Sequence, residues 1–200
     1  GFALDNRGHG ESAKPHDPAS YGREAMARDV FALMDHAGVE RAHLLGFSMG
    51  SHIALTAALV DGGRIDHLVV AGVGARMFDP PREEGAMAEA MEATSPDSIS
   101  DPMLKSFRHF ADEQKEDRLA LAACSRGARV PLTRDSLMAI RRPTLVVAGA
   151  RDQLAGPPQG LADAIPGAKA VTLPGCDHFS CIGHPLFKAS VFDFFDGWLE

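Results

Sequence analysis

Ala42-His43-Leu44-Leu45-Gly46-Phe47-Ser48-Met49-Gly50 is the stretch that decides how this 200-residue chain is read. Ala42 to Phe47 is short and apolar, as a strand covered on both faces would be, and Ile53, Ala54, Ala57 and Ala58 then recur at helical spacing. Between them Ser48 occupies a Gly-x-Ser-x-Gly turn, the pattern of a nucleophile elbow. Such a turn drives its serine to positive φ, which is strained for a residue with a Cβ, while Gly46 and Gly50 let neighbouring backbones come close. The hydroxyl is thereby expected to project into a cleft. The backbone N–H of Met49, at the helix N-terminus, is placed to donate to a developing oxyanion.

On either side of this turn, short apolar runs alternate with amphipathic stretches. Gly1 to Asp5 reads as the end of a buried strand, followed by the loop Asn6-Arg7-Gly8-His9-Gly10-Glu11-Ser12. Ala27, Val30, Phe31, Met34 and Ala37 form one face of a helix that Gly38 ends. His67 to Gly72, Thr144 to Gly149 and Ala170 to Leu173 supply further strands, with a short helix through Leu161, Ala162 and Ile165 before the last of these. The final helix starts at Pro185 and carries Phe187, Val191, Phe194, Phe195 and Trp198 as one apolar stripe. This alternation predicts an α/β fold: a mostly parallel sheet flanked by helices. The rhythm breaks between 78 and 140, where only helical patches occur, at Ala86 to Ala93, Met103 to Phe110 and Leu119 to Cys124. We expect residues 1–77 and 141–200 to form the core and 78–140 to be a helical cap inserted over the strands' C-terminal ends, where ligands of open α/β sheets bind.

A serine hydroxyl needs a general base, and the base needs a carboxylate to fix its tautomer. His178 follows the last strand in Pro174-Gly175-Cys176-Asp177-His178, and Asp152 follows the strand before it in Ala148-Gly149-Ala150-Arg151-Asp152. Both lie at the same sheet edge, with Asp79 and Asp177 as rivals for the acid. A base that accepts the serine proton must be neutral, so activity is expected to rise with pH. Chain order Ser48, Asp152, His178 is nucleophile, acid, base. Cys176, His178 and Cys181 are metal-ligand types without a fourth partner at sensible spacing, and Gly72-Val73-Gly74 lacks the third glycine of a dinucleotide fingerprint. No metal and no cofactor is expected. Arg7 and Arg151 could orient an acidic substrate or pair across loops, and neither is assigned to the site.

These pieces resemble the capped α/β-hydrolase superfamily of serine esterases, lipases and carbon–carbon bond hydrolases. The likeness covers nearly the whole chain and rests on Asp5-Asn6-Arg7-Gly8-His9-Gly10-Glu11-Ser12, Gly46-Phe47-Ser48-Met49-Gly50, Gly149-Ala150-Arg151-Asp152 and Gly175-Cys176-Asp177-His178. It implies an α/β-hydrolase fold, with a post-strand turn, a nucleophile, an acid and a base at the corresponding positions. Ser48 disfavours the relatives that use an aspartate nucleophile. The family's second oxyanion donor comes from an earlier loop marked by His-Gly, and no such segment precedes the elbow here. The resemblance implies that the chain starts inside the fourth strand, lacking three strands and a helix, roughly 50–70 residues by ordinary element lengths. Such a truncated piece is expected to be poorly stable and inactive by itself.

Composition narrows the partners. With 45% hydrophobic residues the chain can bury a full core, and 20 basic against 27 acidic residues, a formal charge of −7, give no overall attraction for nucleic acid or an anionic membrane. No stretch is apolar enough to span a bilayer. Three cysteines without framework spacing suit a reducing, cytoplasmic setting, although the chain does not begin with methionine. The expected activity is hydrolysis of a small carboxylic ester through an acyl-enzyme. Carbon–carbon bond hydrolysis or perhydrolysis on the same residues is the first alternative. A slow or non-catalytic ligand-binding protein is the second, and fluorophosphonate labelling separates it from an enzyme.

Overall fold

The computed structural model describes residues 1–80 and 85–199. In chain order its helices and strands are α1 (Arg23–His36), β1 (Ala42–Phe47), α2 (Met49–Asp61), β2 (Ile65–Ala71), α3 (Ala86–Glu92), α4 (Pro102–Glu113), α5 (Arg118–Arg126), α6 (Arg134–Leu137), β3 (Thr144–Gly149), α7 (Gln159–Ala162), β4 (Lys169–Leu173) and α8 (Pro185–Phe195). The chain divides into two compact units, one made of Gly1–Val30 and Pro80–Val130, the other of Phe31–Asp79 and Pro131–Glu200.

The second unit holds a four-stranded parallel sheet in the order β1-β2-β3-β4. Because alternate side chains point to opposite faces, Val69 and Ala71 of β2, Leu145 and Val147 of β3 and Leu173 of β4 share one face, where they pack with Phe187, Val191 and Phe194 of α8. β3 is buried along its whole length, which accounts for its unbroken apolar run Thr144-Leu145-Val146-Val147-Ala148-Gly149. Helix α2 packs on β1 and β2, and α7 on β3 and β4.

Three expectations need correction. β1 has the expected bounds but is not fully covered: His43 and Leu45 are exposed, Leu45 at 41%, and among the described residues the strand is paired along one edge only, with β2. Gly1 to Asp5 is not a strand but mostly exposed chain, because no described strand lies beside it to complete a ladder, and 1–30 accordingly group with 80–130 instead of with the sheet. Trp198 does not extend the α8 stripe. It lies beyond the helix end at Phe195 and is 81% exposed.

In the first unit, Ala88 and Met91 of α3, Ala111 of α4 and Ala122 of α5 form a small core. Asp101 and Asp117 cap α4 and α5 by accepting from Met103 and Leu104 N–H and from Leu119 and Ala120 N–H. Buried Arg108 donates to the Ala90 and Ala93 carbonyls at 3.1 and 2.7 Å, satisfying acceptors left over at the end of α3. Between 78 and 140 the described elements are helical, close to the patches read from sequence. Residues 81–84 lie outside the described residues.

Candidate functional site

Every side chain of the site belongs to the second unit and follows the C-terminal end of a strand. β1 ends at Phe47 and α2 begins at Met49, so the chain must reverse within Ser48, which adopts φ 51° and ψ −115°. Positive φ costs a residue with a Cβ on the order of 1–3 kcal/mol, and surrounding contacts hold it there. The Ser48 N–H donates to the Ala71 carbonyl at 2.8 Å, and the Ser48 carbonyl accepts from Ser51 N–H at 2.9 Å. Gly46 makes the reversal possible: a Cβ there would overlap the Gly50 carbonyl and crowd Ser51 N at 2.7 Å. Both obstacles are backbone. Gly46→Ala is therefore expected to destabilise the complete protein by at least about 1–3 kcal/mol, as overpacking does, and to misplace Ser48. Denaturant unfolding measures the loss; an unchanged midpoint contradicts the close approach.

Asp152 follows β3 in a turn closed by its own N–H on the Gly149 carbonyl at 3.0 Å. It is only 4% exposed, and its carboxylate is saturated. Oδ1 accepts from the N–H groups of Leu154 and Ala155, both at 2.9 Å, and Oδ2 accepts from His178 Nδ1 at 2.9 Å. Burial pushes this carboxyl's pKa up, but the hydrogen bonds from His178 and from the Ala155 and Leu154 backbone outweigh it, and the net position is below the ordinary carboxylate value. Near neutral pH Asp152 is thus an anion that can only accept. The proton must then sit on His178 Nδ1, which leaves Nε2 as an acceptor facing Ser48 Oγ at 3.0 Å.

His178 is itself 6% exposed and held from several directions. Its loop is tied to the Asp152 loop by the Arg151 N–H donating to the Cys176 carbonyl at 2.8 Å. Phe47 lies 5.1 Å from the ring at a tilt, and Phe179 meets it edge-on at 5.7 Å. Gly72, at φ 65°, lies beneath the ring, where a Cβ would come within 3.1 Å of Cε1.

The three residues singled out from sequence, Ser48, Asp152 and His178, are therefore brought together as one hydrogen-bonded chain. Such a chain can take a proton from the hydroxyl onto an imidazole whose opposite edge is neutralised by a carboxylate. Met49 is the first residue of α2, so its N–H is one of that helix's N-terminal donors, next to Ser48. The rival acids lie elsewhere. Asp177 accepts from the Ser180 N–H and hydroxyl at 2.9 and 2.6 Å, and those bonds hold its pKa below the ordinary carboxylate value. Asp79 follows a short 3-10 turn over Ala75–Phe78 and makes no side-chain hydrogen bond to the imidazole. Arg7 forms a two-pronged pair with Asp29 at 2.7 and 2.6 Å in the first unit. Cys176 and Cys181 are buried free thiols in the cluster under α8, and burial pushes the Cys181 thiol pKa up to about 11. Sequence reasoning passed over Ser51, whose hydroxyl lies fully buried behind the elbow.

A family model described as the alpha/beta hydrolase fold matches residues 1–130. The 3-oxoadipate enol-lactonase 1 of Acinetobacter baylyi is 29% identical over 168 residues, covering 74% of this chain and 60% of that protein. The chain thus spans less than two thirds of the length of that relative. Among solved structures, the enol-lactonase from Burkholderia xenovorans is 27% identical with a TM-score of 0.78, covering 96% of this chain and 78% of that one. A hydrolase from Pseudomonas aeruginosa is 30% identical with a TM-score of 0.67, covering 96% and 77%.

Proposed function

The chain belongs to the alpha/beta hydrolase fold family, and on that premise we propose that the complete protein hydrolyses a small carboxylic ester, open or cyclic, through an acyl-enzyme on Ser48. One observation carries the reading. His178 stands between Ser48 Oγ at 3.0 Å and Asp152 Oδ2 at 2.9 Å, so that an Nδ1 proton donated to the carboxylate leaves Nε2 to accept from the hydroxyl. In the proposed cycle Nε2 takes the hydroxyl proton as Oγ attacks the carbonyl carbon. The Met49 N–H supplies half of an oxyanion hole, a donor type worth roughly 10²–10³ in rate. His178 returns the proton to the leaving alkoxide, and a water molecule, deprotonated in the same way, releases the acid. Asp152 stabilises the imidazolium that forms between these transfers. A lactone, being an internal ester, keeps its leaving group tethered, and the likeness to two enol-lactonases supports including it. The helices within 78–140 are proposed as a cap that selects substrate, because an insertion this long between β2 and β3 adds no strand among the described residues. The free cysteines support a reducing, cytoplasmic setting. No helix among the described residues is long and apolar enough to cross a membrane.

Fluorophosphonate labelling of the complete protein, with mass-spectrometric mapping of the adduct, tests the nucleophile. A panel of chromogenic esters and small lactones tests the substrate class. We expect the label on Ser48 and turnover of short esters or lactones. A protein that takes no label and turns over none of the panel refutes the reading.

A further inference from the structure

We propose that Ser51 is a positioning residue for Ser48, acting through the end of β2; this deepens the reading of Ser48 as nucleophile and rests on it. β1 and β2 run in parallel register up to Phe47 opposite Ala71, and there β1 leaves the sheet to make the elbow. The last rung of that ladder is the Ser48 N–H donating to the Ala71 carbonyl at 2.8 Å. Ser51, 0% exposed in the first turn of α2, lays its side chain against that rung. Its Oγ accepts from the Ala71 N–H at 2.9 Å and lies 2.8 Å from both the Gly46 and the Ala71 carbonyls, to which its single proton can donate. The hydroxyl thus clamps the last rung between the two strands.

What makes this clamp matter to chemistry is the Ala71 carbonyl. That same oxygen accepts the Ser48 N–H at 2.8 Å. The contact holds a residue whose φ of 51° is otherwise unfavourable. Ser51 therefore grips Gly46, two residues before the nucleophile, and Ala71, the residue that anchors the nucleophile's own amide. Without the hydroxyl, the buried Ala71 N–H and the Gly46 and Ala71 carbonyls lose the contact they share, and the clamp across the last rung loosens. A displacement of the Ser48 Oγ by a fraction of its 3.0 Å contact with His178 Nε2 spoils the in-line proton transfer before it unfolds anything.

The test is the complete protein carrying Ser51→Ala, with Ser51→Cys as the second variant, since a thiol nearly keeps the volume but makes a weak clamp. Active sites are counted by fluorophosphonate labelling at completion, so that misfolded protein drops out of the rate. We expect kcat per labelled site to fall about 10- to 100-fold in Ser51→Ala, by a smaller factor in Ser51→Cys, and KM to stay within about twofold, because the loss is of orientation rather than of substrate contact. Should Ser51→Ala fail to fold, the kcat of Ser51→Cys per labelled site carries the same expectation. A purely structural role lowers the melting temperature but leaves kcat per labelled site within about twofold of wild type, and that result overturns the proposal. A wild-type protein that hydrolyses esters yet takes no label at Ser48 overturns the nucleophile reading instead, so the two failures are told apart.

Discussion

Ser48→Ala in the complete protein is expected to lower ester turnover by several orders of magnitude while leaving the fold intact. In the proposed cycle this oxygen is the attacking atom, and groups that act as a unit are lost together. The fold should survive because the change removes one partly buried hydroxyl and keeps the Cβ in its existing, strained place at φ 51°. Ser48→Gly gives a second handle on the same geometry. Glycine relieves strain on the order of 1–3 kcal/mol, while its extra freedom in the unfolded chain costs about 0.5–1 kcal/mol. The glycine variant should therefore be inactive yet as stable as wild type or more so. Steady-state kinetics and thermal unfolding on the three proteins settle it. An alanine variant retaining more than about a tenth of wild-type kcat/KM has lost less than roughly 1.4 kcal/mol of transition-state stabilisation, too little for the attacking atom.

Much of this site was legible in the chain because its signals are local. An apolar run such as Thr144 to Gly149 is dictated by burial on both faces, so its bounds can be read without knowing its neighbours, and β3 has those bounds. The elbow is equally local, since the demand for Gly46 arises within a single turn, while a Cβ at Gly50, read from sequence as a second close approach, would meet open space. The misreadings share the opposite character. Whether β1 is covered depends on what lies beside it, and the apolar sequence Leu44-Leu45 reads the same in a central strand and in one with a single partner. Gly1 to Asp5 has strand-like residues but pairs with no strand among the described residues, and it stays mostly exposed. Trp198 keeps helical spacing with Phe194, yet the helix stops at Phe195 and the periodicity stops meaning anything there. Ser51 was invisible for a further reason. A hydroxyl that clamps a strand rung looks, in sequence, like any small polar residue in a helical first turn. Only the distances to Gly46 and Ala71 separate the two.

Sequence assigned the acid to Asp152 with Asp79 and Asp177 as rivals, and the backbone supplies a sharp experiment on that assignment. Asp152→Asn is nearly isosteric, but its side chain presents one acceptor and one donor where the carboxylate presents two acceptors. The N–H groups of Leu154 and Ala155, both 2.9 Å from Oδ1, require an acceptor, so the asparagine must turn its oxygen to them and its NH₂ toward His178. Nδ1 then becomes the acceptor, the ring proton moves to Nε2, and a donor faces the Ser48 hydroxyl. That is the wrong tautomer for a base, and a loss on the order of 10⁴ in kcat is expected, the size such a swap produces in serine proteases. Asp177→Asn, which touches only an exposed turn with Ser180, should cost less than about tenfold on the scale of a single surface contact. Stability gives an independent reading. The folded pKa of Asp152 is depressed, so the group contributes stability that is fully present above its unfolded value, near 3.9, and is lost as pH falls through the folded value. The gap in unfolding free energy between wild type and Asp152→Asn should therefore narrow on acidification below about pH 4. If Asp177→Asn proves severe while Asp152→Asn stays within tenfold of wild type, the acid is Asp177 and the tautomer argument fails with it.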